Sequence, residues 1–73
     1  MSDFSYNIIS HIATIFQRGT WTLELNLISW AGRTPTFDLR KWNEDHSKMS
    51  KGISLTKEEL DALGKFLAQE GNA

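Results

Sequence analysis

The chain has no cysteine, a single proline and only two histidines in 73 residues, and each scarcity removes a class of protein. Without cysteine no disulfide staples the fold, and with His11 and His46 as the only imidazoles the usual four-ligand zinc patterns cannot be assembled. No apolar run approaches the roughly 20 residues needed to cross a bilayer. The start Met1-Ser2-Asp3-Phe4 lacks the basic-then-apolar order of a secretory leader, so a cytoplasmic protein is expected, with no membrane partner, no cofactor and no metal. So short a chain makes a single domain, residues 1–73, with a small core. Once disulfides and metals are gone, a second subunit is the stabiliser that remains.

A strong net charge is lacking as well. The formal total is −1, which by itself does not point to nucleic acid. Its distribution is more informative. Arg33, Arg40, Lys41, Lys48 and Lys51 face Asp38, Glu44 and Asp45 in the middle of the chain, whereas Glu58, Glu59, Asp61 and Glu70 outnumber Lys57 and Lys65 after Leu55. Three tryptophans in so short a chain each need a core to fill or a flat partner to stack on.

Tyr6 to Phe16 is rich in β-branched residues and free of Gly and Pro, so it reads as a strand although its alternation is imperfect. Both of its faces look apolar. Cover by the helix on one side and a second subunit on the other would account for that, and so would a bulge. Gln17-Arg18-Gly19-Thr20 suits a hairpin connection. From Trp21 the alternation is clean, with Leu23, Leu25 and Leu27 on one face and Thr22, Glu24, Asn26, Ile28 and Trp30 on the other.

Gly32 and Pro35 break the chain before a third strand, Thr36 to Trp42, with Phe37 and Leu39 opposite Asp38, Arg40 and Trp42. Asn43 to Ser50 reads as a mobile polar loop and Gly52 to Leu55 as a short fourth strand. Thr56-Lys57-Glu58-Glu59 fits a capping box, with Leu55 and Leu60 at the staple positions. The amphipathic helix that follows carries Leu60, Leu63, Phe66 and Leu67 and ends at Gly71. The expected class is α+β, a four-stranded sheet followed by one C-terminal helix (ββββα).

Trp30, Arg40 and Trp42 fall on the strand faces opposite the leucines, with Arg33 and Lys41 close by. Aromatics on a sheet stack unpaired bases at about 1–3 kcal/mol per base, while Arg and Lys neutralise phosphates. The same tryptophans would serve equally as core beneath the helix or a second subunit. Tryptophan and arginine are also enriched at protein hot spots, so a protein-interaction module on the same aromatic face is the competing reading.

Glu44, Asp45 and His46 lie in one loop without a second ligand cluster or an orienting partner, so no enzyme is expected. His11 reads as a hydrogen-bonded core or interface residue. Lys51-Gly52 lacks the spacing of a phosphate loop. The stripe Leu60, Leu63, Phe66 and Leu67 is core by default, and a lone helix on such a sheet leaves one flank for a second copy.

Phe37-Asp38-Leu39-Arg40-Lys41-Trp42, the polar loop, and Lys51-Gly52-Ile53-Ser54-Leu55 entering an acidic helix together resemble the positive cofactor four family of single-stranded-DNA-binding transcriptional coactivators. Trp21 through Arg33 resembles its short bacterial branch in particular, and the likeness extends from Trp21 to Leu67. The resemblance implies an antiparallel sheet and a helix paired into a saddle-like homodimer that binds single-stranded DNA, and possible RNA, with little sequence preference. The nucleic-acid positions it marks are Trp30, Gly32, Arg33, Arg40, Trp42 and Lys51, to which Lys41 and Trp21 are added as neighbours, and the dimer stripe is Leu60, Leu63, Phe66 and Leu67. Related bacterial sequences carry a basic residue where this chain has Leu23, which implies weaker binding and a shallower salt dependence here.

Overall fold

The computed structural model describes residues 5–71; the reading made of Met1 to Phe4 falls outside them. Strands β1 (Tyr6–Arg18), β2 (Trp21–Trp30), β3 (Thr36–Trp42) and β4 (Ile53–Leu55) precede helix α1 (Lys57–Gly71). The strands form one sheet in the order β1-β2-β3-β4, each neighbour antiparallel, so the expected ββββα architecture is what the chain adopts.

Turn chemistry sets the sheet's register. Gly19 takes φ 63° as the first residue of the two-residue β1–β2 turn, a conformation a Cβ would strain. At the start of the β2–β3 connection Arg33 N–H donates to Trp30 C=O at 2.9 Å across Ala31 (φ 51°) and Gly32 (φ 75°). Two successive positive φ values are the signature of a type I′ turn.

β1 is where alternation fails. Its register against β2 skips a residue three times, at Ile9, Ile12 and Ile15, so three bulges recur every third residue. Of the explanations open for its two apolar faces, bulging is thus present. Each bulge bends the strand and increases its twist.

The curvature is visible in the aromatic rings. Tyr6 pairs with Trp30 at one end of β2, and Trp42 pairs with Thr22 at the other. Yet the Tyr6 and Trp42 ring centroids are 5.7 Å apart, which requires the sheet to curl around the face that both rings share.

That curl decides where the core lies. Cross-strand partners Glu24 and Arg40, Asn26 and Asp38, and Thr22 and Trp42 share the concave face, where Ile28, Trp42, Glu24, Asn26 and Asp38 are buried. Leu23, Leu25, Leu27, Phe37 and Leu39 share the convex face and are only half-buried. Among the described residues α1 lies against β3 and β4 and against no other strand. Alternation defined the two faces without choosing between them, and the more polar one faces inward.

The helix begins as its sequence requires. Thr56 Oγ1 accepts from Glu59 N–H at 3.1 Å, and Glu59 Oε1 accepts from Thr56 N–H at 2.9 Å, closing the capping box. Glu58 and Glu59 in the first turn complement the helix dipole.

Candidate nucleic-acid interface

The structure divides the residues expected to meet nucleic acid among three places. Trp30, Arg40 and Trp42 belong to the concave face, Arg33 and Gly32 to the turn at its rim, and Trp21 and Lys41 to the convex face, with Lys51 beside them at the β3–β4 edge.

Arg40 organises the first group. Its Nε donates to Asp38 Oδ1 and its Nη2 to Asp38 Oδ2, both at 2.7 Å, a bidentate pair on a carboxylate that is 0% exposed. Nη1 donates to Met49 Sδ at 3.1 Å and approaches Ser50 C=O at 3.4 Å. The guanidinium carbon lies 4.6 Å from the centroid of Trp30, within range of a cation–π contact.

Gly52 makes this packing feasible. A Cβ there would sit 2.6 Å from Arg40 Cβ and Nε and 2.8 Å from Leu39 C=O. The backbone carbonyl cannot swing aside as a side chain would, so the segment after Lys51 can lie on Arg40 only as glycine.

Trp42 is not an open platform in this geometry. It is 0% exposed, with Tyr6 at 5.7 Å and His46 at 5.2 Å between ring centroids. Trp30 is half-buried, with Tyr6 5.3 Å from its ring. Arg33, Lys41 and Lys51 are exposed.

His46 was read without an orienting partner, and β2 supplies one. Its Nε2 donates to the Glu24 carboxylate at 3.0 and 3.1 Å, which fastens the 43–50 loop across the concave face. The loop expected to be mobile is also closed on itself: the Asn43 side chain accepts from Lys48 N–H and donates to Ser47 Oγ, while Asn43 N–H donates to Lys48 C=O. His46 adopts φ 61° to make the turn. Spacing could not reveal this closure, because Glu24 is 22 positions away in sequence.

Glu24 also accepts from Thr22 Oγ1 at 2.6 Å and Asn26 Nδ2 at 3.2 Å. Burial acts to raise its pKa, but the hydrogen bonds from Thr22, His46 and Asn26 outweigh it and hold the carboxyl below its ordinary value of 4.5. His11, as its sequence context implied, is hydrogen-bonded, donating from Nδ1 to Asn26 Oδ1 at 2.6 Å. Among the described residues no group of three or more His, Cys, Asp or Glu side chains is gathered to hold a metal ion.

The convex face has a different character. A cleft of about 590 Å³ is lined by Phe16, Arg18, Trp21, Leu23, Lys41 and Ser50, without an acid. Phe16 and Arg18 escaped the sequence reading. The signal for Arg18 was the hairpin itself, since a two-residue turn places it directly opposite Trp21. Phe66 and Leu67 on α1 are 58% and 56% exposed, and Leu63 is exposed as well.

The described residues form a curled antiparallel meander with exposed cations near its aromatics and one amphipathic helix whose Leu63, Phe66 and Leu67 are exposed, a small sheet-plus-helix domain. Residues 17–66 match the family described as Transcriptional Coactivator p15 (PC4), and the chain belongs to that family. It is also similar to an uncharacterized protein of Treponema pallidum (strain Nichols), 44% identical over 66 residues that cover 89% of this chain and 78% of that one.

Proposed function

We propose that the protein is a homodimeric, single-stranded-DNA-binding protein of little sequence specificity, acting in the cytoplasm in transcription regulation, replication or repair, and that it binds without catalysing a reaction. The observation that carries this reading is the family match over residues 17–66, which takes in every expected contact from Trp21 to Lys51. Trp30 offers a ring to an unpaired base, Arg33 and Lys51 reach phosphates, and Lys41 and Trp21 extend the surface around the β3 edge. Trp42 supports this surface from within. Stacking does not distinguish sugars, so RNA is an acceptable ligand unless a group reads the 2′-hydroxyl.

The uncovered apolar surface supports the homodimer reading. Leu63, Phe66 and Leu67 on α1, with Leu60 half-buried beside them, and the bulge residues Ile9, Ile12 and Ile15 are largely open in the single chain. A domain of this size without disulfides gains most by burying such a surface against a second copy.

The test is intrinsic tryptophan fluorescence titrated with a single-stranded oligonucleotide of about 20 bases and with its duplex, at low and moderate salt. Quenching that is stronger with the single strand and weakens with salt is expected. No response to either nucleic acid at low salt would refute strand binding and favour a protein-interaction module.

A further inference from the structure

We infer that Arg40 is a positioning residue, which through the Asp38 carboxylate holds Trp30 and the Lys51 segment in place for the strand, and that it does not itself neutralise phosphate. The inference rests on the strand-binding reading and reassigns the part played by its central arginine.

Arg40's charge is already cancelled. Asp38 is fully buried and takes two of the guanidinium nitrogens, while the third is directed at Met49 and Ser50. A phosphate could recruit the guanidinium only by leaving a buried carboxylate unpaired, which is strongly unfavourable. The guanidinium is also enclosed, with Trp30 against it and Gly52 packed so closely on the side chain that a Cβ would collide. Only 14% of the side chain is exposed.

Arg33, Lys41 and Lys51 are the contrast. They are exposed, and among the described residues their side chains meet no acid. Anchored to Asp38 in its own strand, Arg40 thus joins Trp30 at the end of β2 to the 49–52 segment that carries Lys51. Planarity and the bidentate fork suit arginine to this work, and lysine cannot replace it.

Binding of a labelled single strand of about 20 bases, measured at several salt concentrations, separates the two roles, because each phosphate contact adds about 0.7 to the slope of log K against log salt for single strands. Lys51→Ala should lower the slope by about that amount. Arg40→Gln and Arg40→Lys should each weaken binding about tenfold, the loss of roughly one stacked base, with the slope unchanged. Asp38→Asn, which releases a positive charge, should weaken binding too.

Full affinity in Arg40→Lys, a slope lowered in Arg40→Gln as in Lys51→Ala, or tighter binding by Asp38→Asn would each overturn the inference. The Asp38 carboxyl carbon NMR signal of the unsubstituted chain supplies a check that needs no variant. It should stay in place as strand is added, and a large shift would mean that Arg40 has left for phosphate. Failure of the unsubstituted protein to bind any strand would instead refute the strand-binding reading on which this one rests.

Discussion

The two faces of the sheet solve the same problem, burying a large area with few residues, by opposite means. The concave face is closed within the chain by the Asp38–Arg40 pair, the Glu24 network with His46, Thr22 and Asn26, and the packed rings of Tyr6, Trp30 and Trp42, although the buried Trp42 Nε1 has no hydrogen-bond partner among the described residues. The convex face is unfinished, with its leucines half-buried, and Phe66 and Leu67 on the helix remain open. Pairing of buried charges such as Asp38 and Arg40 is demanding, and it fixes one arrangement. An apolar surface has no such requirement and is completed by any well-fitting apolar partner, for which a second copy is proposed.

Removing one member of the concave network should have the largest effect. Asp38→Ala leaves Arg40 buried without its carboxylate, and a loss of about 3–5 kcal/mol in urea unfolding is expected. A loss below about 1 kcal/mol would place the pair among weak surface bridges and erase the contrast between the faces.

The convex face should respond differently. Leu63→Glu combined with Leu67→Glu is expected to shift sedimentation from dimer to monomer mass and to abolish the dependence of the thermal midpoint on protein concentration. Unchanged dimer mass would show that the helix is not the interface.

Acid should weaken the Glu24 network of the concave face. Glu24 has a folded pKa below 4.5, so its stabilising contribution is complete above that ordinary value and is lost as pH falls through the folded one. Glu24→Gln should therefore flatten the fall in stability as pH drops below the ordinary carboxylate range and leave dimer mass there unaffected. An identical acid limb in both proteins would count against the network.

The smallest effect tests the helix start. Thr56→Ala should cost about 1 kcal/mol, the usual worth of an N-cap, in the same urea assay.

Much of this was legible in residues with one strong local meaning. Thr56 and Glu59 announce the helix, Gly19 and Gly32 the turns, and the alternation from Trp21 to Trp30 the second strand. Which face becomes the interior was not legible, because alternation defines two faces without saying how the sheet bends. The bend comes from β1, whose trace in the sequence is the spacing of Ile9, Ile12 and Ile15. In the first strand this spacing looked like poor alternation, although a bulge at every third residue produces that pattern.

The candidate site was legible as a set of residue types and not as an arrangement. Trp42 and Arg40 looked like exposed partners for bases and phosphates on a polar strand face. The structure gives both intramolecular partners, through Tyr6, His46 and Asp38. The Asp38–Arg40 pair follows the two-residue spacing of one strand face, whereas Tyr6 and His46 reach Trp42 from outside β3.

The three tryptophans occupy the three environments that matter: Trp21 on the convex face at 37% exposure, Trp30 at the rim, and Trp42 inside. Their indole N–H signals in a nitrogen–proton NMR spectrum, followed during titration with a single-stranded oligonucleotide, test the central claim most directly. The account predicts that the Trp30 signal moves most, that Trp21 moves less, and that Trp42 holds its position. A titration in which Trp21 alone moves would place the strand on the convex face and contradict the account.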